Sequence, residues 1–300
     1  MNIKLIESAI AAYNDLPADD EARIAFFKGI WEAQAAAVDA CEDSYEVPGE
    51  DELRAAIAAC QPVFHVHGVS IDLKFLAATA KSIAAVICGQ EMLNADTQSF
   101  LESFDWDKAL EDADAELAGS KPQEFAIGFV QSLIDDEVEL QTASITMDVL
   151  SQALHCQLDK PAAAVNKALK QLRSFEDPKP LTCPCCGGKP ALSHVGAKTS
   201  SQGRGRVLVC TLCGQDWEFD RIRCACCGDK NATHLHYFSI EGDDAHRIAT
   251  CDSCGHYMRT LFSEQGELKP ISYNVEDVIM ARLDAIAADP DFQLKAEMTE

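Results

Sequence analysis

Cys210-Thr211-Leu212-Cys213-Gly214-Gln215-Asp216-Trp217-Glu218-Phe219-Asp220-Arg221-Ile222-Arg223-Cys224-Ala225-Cys226-Cys227-Gly228 decides how this chain is read. The stretch holds two CxxCG knuckles, Cys210/Cys213 and Cys224/Cys227. Two more flank it: Cys183/Cys186, followed by Gly187, and Cys251/Cys254, followed by Gly255. Two thiolates three positions apart can grip one metal ion when the chain turns tightly. The residue after the second cysteine then tends to positive φ, where glycine costs least.

Both early knuckles recur 41 residues later, so the sequence contains two units of the form C-x2-C-x23-C-x2-C. The intervening segment is long enough for a hairpin that returns the second knuckle to the first. Pairing within each unit predicts one site from Cys183, Cys186, Cys210 and Cys213 and another from Cys224, Cys227, Cys251 and Cys254. A cross-braced pairing that shares knuckles between sites is the alternative. Four thiolates suit Zn²⁺ or a single rubredoxin-type iron, and the spacing does not choose between them. Such a site leaves no open position for substrate, so the metals are expected to be structural. Cys185 and Cys226 obey the same repeat inside their knuckles. Each is either a small neutral filler or a spare thiol that can swap as ligand or respond to oxidation.

The 300-residue chain is 47% hydrophobic, enough for a sizeable core and two domains. Its net charge of −24 argues against general binding to nucleic acid or anionic membranes. No stretch reads as a membrane span or signal peptide, so a cytoplasmic location is expected. Fourteen cysteines there read as metal ligands or catalytic thiols, not disulfides.

Before the cysteines, residues 1–174 read as a helical domain. Residues 19–42 carry a helical stripe of Ile24, Phe27, Trp31, Ala35 and Val38, and residues 72–90 read as a buried central helix. Further helices are expected at 98–117, 122–134, 146–156 and 160–174. Pro178 and Pro180 mark a linker at 175–182. A first metal ribbon at 183–220 and a second at 221–262 follow, with β-type runs at 206–209 and 235–239. A C-terminal helix over 275–288 and an acidic tail complete 263–300. Residues 1–182 carry a net −19, whereas residues 183–260 carry +1. The fold class is therefore α+β and multidomain: an all-α N-terminal domain, two tandem rubredoxin-like or zinc-ribbon modules, and a C-terminal helix.

Other candidates have ordinary readings. His65 and His67 fall in a Pro/Gly break and read as loop or capping residues. His234 and His236 alternate on a strand, so both face one side. Trp217 and Tyr257 are expected to cover the metal sites or their small cores. Cys41, Cys60, Cys88 and Cys156 read as helix core residues.

The cysteine region resembles a known family. Cys183-Pro184-Cys185-Cys186-Gly187 with Pro190 and Ser193, the run from Cys210 to Gly228, His236-Tyr237-Phe238-Ser239, and Cys251-Asp252-Ser253-Cys254-Gly255-His256-Tyr257 are similar, in order, to the formate dehydrogenase accessory protein family, FdhE. The resemblance covers about residues 183–262. It implies two metal ions, iron by the family's habit, on the eight knuckle cysteines. It also implies a cytoplasmic, non-enzymatic assembly factor, chaperone-like, whose partner is the catalytic subunit of formate dehydrogenase. Cys185 and Cys226 depart from the family pattern, as does the acidic ending.

Two other classes compete. A thiol-based redox or sulfur-handling protein would need a reactive thiol at Cys185 or Cys226. A nucleic-acid-binding ribbon protein would need a basic face from Arg204, Arg206, Arg221 and Arg223. The absence of a P-loop, dinucleotide fingerprint or nucleophile elbow agrees with a binding protein. The sequence leaves homodimer formation open.

Overall fold

The computed structural model describes residues 1–14, 16–90, 92–198, 204–263 and 269–288. The acidic tail from residue 289 onward lies outside them. Capping residues set where helices start in the N-terminal part. The Asp72 carboxylate accepts from the Lys74 and Phe75 amides and opens a helix from Leu73 to Cys88. Asn94, Asp105 and Asp114 each accept the amide three residues on. These three caps divide the single helix expected at 98–117 into three short ones.

In chain order the helices are α1 (Ile3–Ala11), α2 (Ala18–Ala40), α3 (Glu50–Ala59), α4 (Leu73–Cys88), α5 (Ala95–Ser103), α6 (Trp106–Leu110), α7 (Ala115–Ser120), α8 (Pro122–Asp135) and α9 (Leu140–Leu172). As expected, α4 is a central helix, with Leu76, Ala80 and Ile83 fully buried. None of the described helices is long and apolar enough to cross a membrane.

The sequence predicts two helices where α9 runs unbroken for 33 residues with Pro161 inside it. A proline inside a helix costs about 3 kcal/mol. Leu150, Leu154, Leu158, Ala162, Val165 and Leu169 form one buried face that continues through Pro161. Burying each of the larger side chains contributes about 1.5–3 kcal/mol, so tertiary packing outweighs the lost donor.

The cysteine region forms β1 (Pro190–Lys198), β2 (Arg204–Cys210), β3 (Asp216–Phe219), β4 (Leu235–Ile240), β5 (Asp243–Cys251) and β6 (Tyr257–Phe262). The two ribbons join into one six-stranded sheet of order β3-β2-β1-β6-β5-β4. Pairing within each ribbon is antiparallel. The seam is parallel, with Ser193 opposite Thr260 and Val195 opposite Phe262. The first strand of one copy thus meets the third strand of the other, a head-to-tail join of like units.

The C-terminal helix bends at Met280 into α10 (Tyr273–Ile279) and α11 (Ala281–Ala287). Val275, Val278 and Ile279 pack with Ile6 of α1 and with Ile24 and Trp31 of α2. Met280 and Leu283 pack with Leu192, Ile248 and Leu261 of the sheet. The bend lets one segment cover two surfaces of different orientation.

Segment 175–182 has no regular structure, yet it is tied to the sheet. Trp217 donates its indole N–H to the Pro180 carbonyl at 3.0 Å, and Arg223 donates to the Lys179 carbonyl at 2.8 Å.

Candidate metal centres

All four knuckles share one local geometry. Gly187, Gly214, Gly228 and Gly255 have φ between +68° and +81°. In three of them the glycine N–H donates back to the first cysteine's carbonyl, at 2.9, 3.1 and 2.8 Å for Gly187, Gly228 and Gly255. Amides also point at sulfur: Leu212 N–H at Cys210 Sγ, and the Cys226 and Cys227 N–H groups at Cys224 Sγ. Such contacts lower the charge density on a thiolate.

The sulfurs gather within each repeat and not across repeats. Cys183, Cys186, Cys210 and Cys213 form one group, and Cys224, Cys227, Cys251 and Cys254 the other, with all four Sγ atoms of a group within 4.8 Å of one another. In the first group Cys183 and Cys213 lie 3.5 Å apart, as do Cys186 and Cys210. In the second, Cys224–Cys254 and Cys227–Cys251 are each 3.8 Å. A tetrahedron with metal–sulfur bonds of about 2.3 Å has edges of ~3.8 Å. Burial raises the Cys213 thiol, and contact with Cys183 raises Cys186. Four thiolates crowded this closely need a cation to neutralise them. Each group could therefore hold one metal ion.

The two sites differ in setting. All four cysteines of the first are buried, whereas Cys227 of the second is exposed and Cys254 half-buried. The first knuckle is part of the main core, where Cys183, Cys185 and Cys186 join residues of α3, α4 and α9. A short 3₁₀ turn at Val63–His65 clamps it: the Val63 N–H donates to the Pro184 carbonyl and the Phe64 N–H to the Cys185 carbonyl, both at 2.9 Å. His65 Nε2 lies 2.7 Å from where a Cβ on Gly187 would fall. From α9, His155 bonds the Leu212 carbonyl through Nδ1 at 2.9 Å and closes over Gly214. Burial lowers both imidazoles, so they are neutral near pH 7.

His65 therefore is not a plain loop residue but a lid on the first site. His155 carries no signal in the sequence, since neither histidine is near a knuckle cysteine along the chain. Trp217 is buried as expected, but Tyr257 is 41% exposed and bonds Asp284. His234 ends a 3₁₀ turn before β4 and pairs with Asp229, while His236 pairs with Asp252, so they do not act from one strand face. Cys88 and Cys156 are core residues, but Cys41 and Cys60 are half-buried helix C-caps.

Cys185 is fully buried, its Sγ facing the Ala162 carbonyl, whereas Cys226 is exposed. Of the four arginines, Arg206 is buried and bonds Ser193 Oγ and the Arg223 carbonyl. Arg206 and Arg223 both lie over the Phe219 ring. The Arg204 side chain lies outside the described part. A cleft of about 460 Å³ opens between the helices and the first ribbon, lined by Trp31, Met147, Asp148, His155, Leu212 and Arg259 among others.

Fold and sites together define a class: a helical protein carrying two tetracysteine ribbons in one sheet. Residues 182–221 match the family model described as "FdhE, central domain". Similar curated proteins include an FdhE homolog from Cronobacter sakazakii, 33% identical over 33% of this chain and 31% of that protein, and one from Aquifex aeolicus, 32% identical over 37% and 38%. An FdhE protein of Escherichia coli is 37% identical over 28% of this chain and 26% of its own length. The matched region thus spans roughly a quarter to two fifths of these relatives. The crystal structure of FdhE from Pseudomonas aeruginosa shares the fold, with a TM-score of 0.54 at 19% identity over 95% of this chain and 88% of that one. The cysteine region of this chain is thus similar to the FdhE central domain, over the stretch whose knuckles carry the resemblance.

Proposed function

We propose that this protein is an assembly or maturation factor for formate dehydrogenase, acting in the cytoplasm without turnover of its own. The eight knuckle cysteines hold two metal ions, iron by the family's habit or zinc. The catalytic subunit of formate dehydrogenase is the partner, held by the helical domain of residues 1–174 together with the ribbons. One observation carries this reading: the first tetracysteine site is built into the helical core, so metal and helices form a single binding body. The cleft beside it, with apolar Trp31 and Met147 and polar Asp148 and Arg259, offers that body a mixed surface for a polypeptide.

The competing readings have less support. Arg206 and Arg223 are engaged inside the fold and give no basic face. Of the two candidate thiols, Cys185 is sealed in the core and only Cys226 is exposed.

The test is an anaerobic affinity pull-down of the tagged full-length chain from its native cell extract, with mass spectrometry of captured proteins. Enrichment of a formate dehydrogenase catalytic subunit is the expected result. Capture of nucleic acid or an unrelated enzyme in its place would overturn the assignment. Metal analysis of the same anaerobic sample decides between iron and zinc.

A further inference from the structure

The two ribbons repeat one frame of cysteines, and two positions of the second ribbon that meet in space set it apart from the first. Cys226 repeats Cys185, but Cys185 is fully buried against α9 while Cys226 is exposed. His256 stands where the first ribbon has Gln215. In the second ribbon, Cys226, Cys254 and His256 bring three donor atoms within 4.8 Å of one another. Cys254 belongs both to this set and to the tetracysteine group.

Two further features suit ligation. His256 Nδ1 lies 2.9 Å from the Cys254 carbonyl, which can only accept, so Nδ1 carries the proton and Nε2 the lone pair. A backbone carbonyl on the other ring nitrogen is the usual way a ligating histidine is oriented. A pocket of about 20 Å³ is lined by Cys226 and His256, together with Leu235, Tyr237 and Tyr257 among others. That is room for about one water-sized body.

We propose that Cys226, Cys254 and His256 form a third metal site, for one thiophilic divalent cation, with the Cys254 thiolate bridging to the metal of the second ribbon. The proposal rests on the reading of the tetracysteine groups as metal sites. Two thiolates and an imidazole form a donor set suited to zinc-like ions. Three protein donors leave one position open to solvent or to a partner's ligand, which a tetracysteine site does not. The third ion is therefore the exchangeable one, and with Cys185 sealed away the first ribbon shows no counterpart among the described residues.

The test is an anaerobic zinc titration of the reduced full-length chain. Native mass spectrometry counts bound ions, and peptide mapping follows iodoacetamide labelling of Cys226. The wild-type chain is expected to take three zinc ions, and Cys226→Ser and His256→Ala to take two each. Both residues are exposed, so neither change disturbs the core. The third equivalent should slow Cys226 labelling by about tenfold or more, as a bound thiolate is a poor nucleophile. A wild-type chain that stops at two ions, or a variant that keeps three, overturns this proposal alone. Fewer than two ions in the wild type overturns the tetracysteine reading along with it.

Discussion

His65 Nε2 sits over Gly187, close enough that a Cβ on the glycine would come within 2.7 Å of it. A turn residue of the first metal knuckle is thus held against a side chain from the 3₁₀ turn between α3 and α4. The same glycine has φ +80°, which an L side chain adopts only under strain.

Gly187→Ala should therefore suffer twice, from backbone strain and from overlap with His65. Gly255 has φ +68° but open space around its Cβ position, so Gly255→Ala meets only the strain. The left-handed conformation costs about 1–2 kcal/mol for a non-glycine residue. Chemical unfolding of the metal-loaded proteins should show Gly187→Ala to be the worse by at least about 1 kcal/mol. Adding His65→Ala should narrow the gap. Equal losses in the two variants would contradict the lid role of His65.

Loss of the two sites should have unequal consequences. Cys183 and Cys186 share a core with α3, α4 and α9, whereas the second site lies near the surface. Cys183→Ser with Cys186→Ser should loosen the helices, seen as lost amide-exchange protection along α9. Cys224→Ser with Cys227→Ser should lose one metal ion and unfold the second ribbon, because metal binding and folding are coupled in small modules. Protection along α9 should then survive. Equal loss there would show that the two sites are not independent supports.

A buried polar chain ties the C-terminal helix to the rest. His246 bonds Asp243 through Nδ1 at 2.8 Å and Glu276 through Nε2 at 2.9 Å, and the Tyr13 hydroxyl donates to Glu276 at 2.7 Å. Arg282 pairs with Asp243 as well. Burial alone would lower the imidazole, but the two carboxylates outweigh it and hold it up at about 9. Its unfolded value is about 6.5, so this stabilisation is fully present below that pH and is lost as pH rises through 9. The effect is roughly 3 kcal/mol at most. The stability difference between wild type and His246→Gln should shrink from about pH 6.5 to about pH 9, followed by thermal unfolding at each pH. A difference that stays flat across this window would show that His246 is not charged in the fold.

Gln157 joins α9 to the start of α4. Its Oε1 accepts the Asp72 N–H at 2.9 Å and its Nε2 donates to the Asp72 carbonyl at 3.1 Å. Gln157→Leu keeps the bulk and leaves two backbone groups unmatched, at a cost of about 2–3 kcal/mol. Urea unfolding should show that loss, while Gln141→Ala on the exposed face should stay within about 0.5 kcal/mol of wild type. A near-neutral Gln157→Leu would mean that water replaces the amide there.

The sequence alone determined the knuckles, their 41-residue repeat, the helical first part and the acidic balance. These features are local or periodic: CxxCG encodes one tight turn, and a 41-residue offset survives any packing. Helix limits at Asn94, Asp105 and Asp114 are set by side-chain caps and not by periodicity. Only the tertiary structure decided that α9 runs through Pro161, because the burial that holds it together comes from other helices. It also decided that β1 and β6 fuse the ribbons, that His65 and His155 close over the first site, and that Cys226 is exposed while its twin Cys185 is sealed. Each of these depends on contacts between residues distant in sequence, where neither spacing nor propensity carries the information.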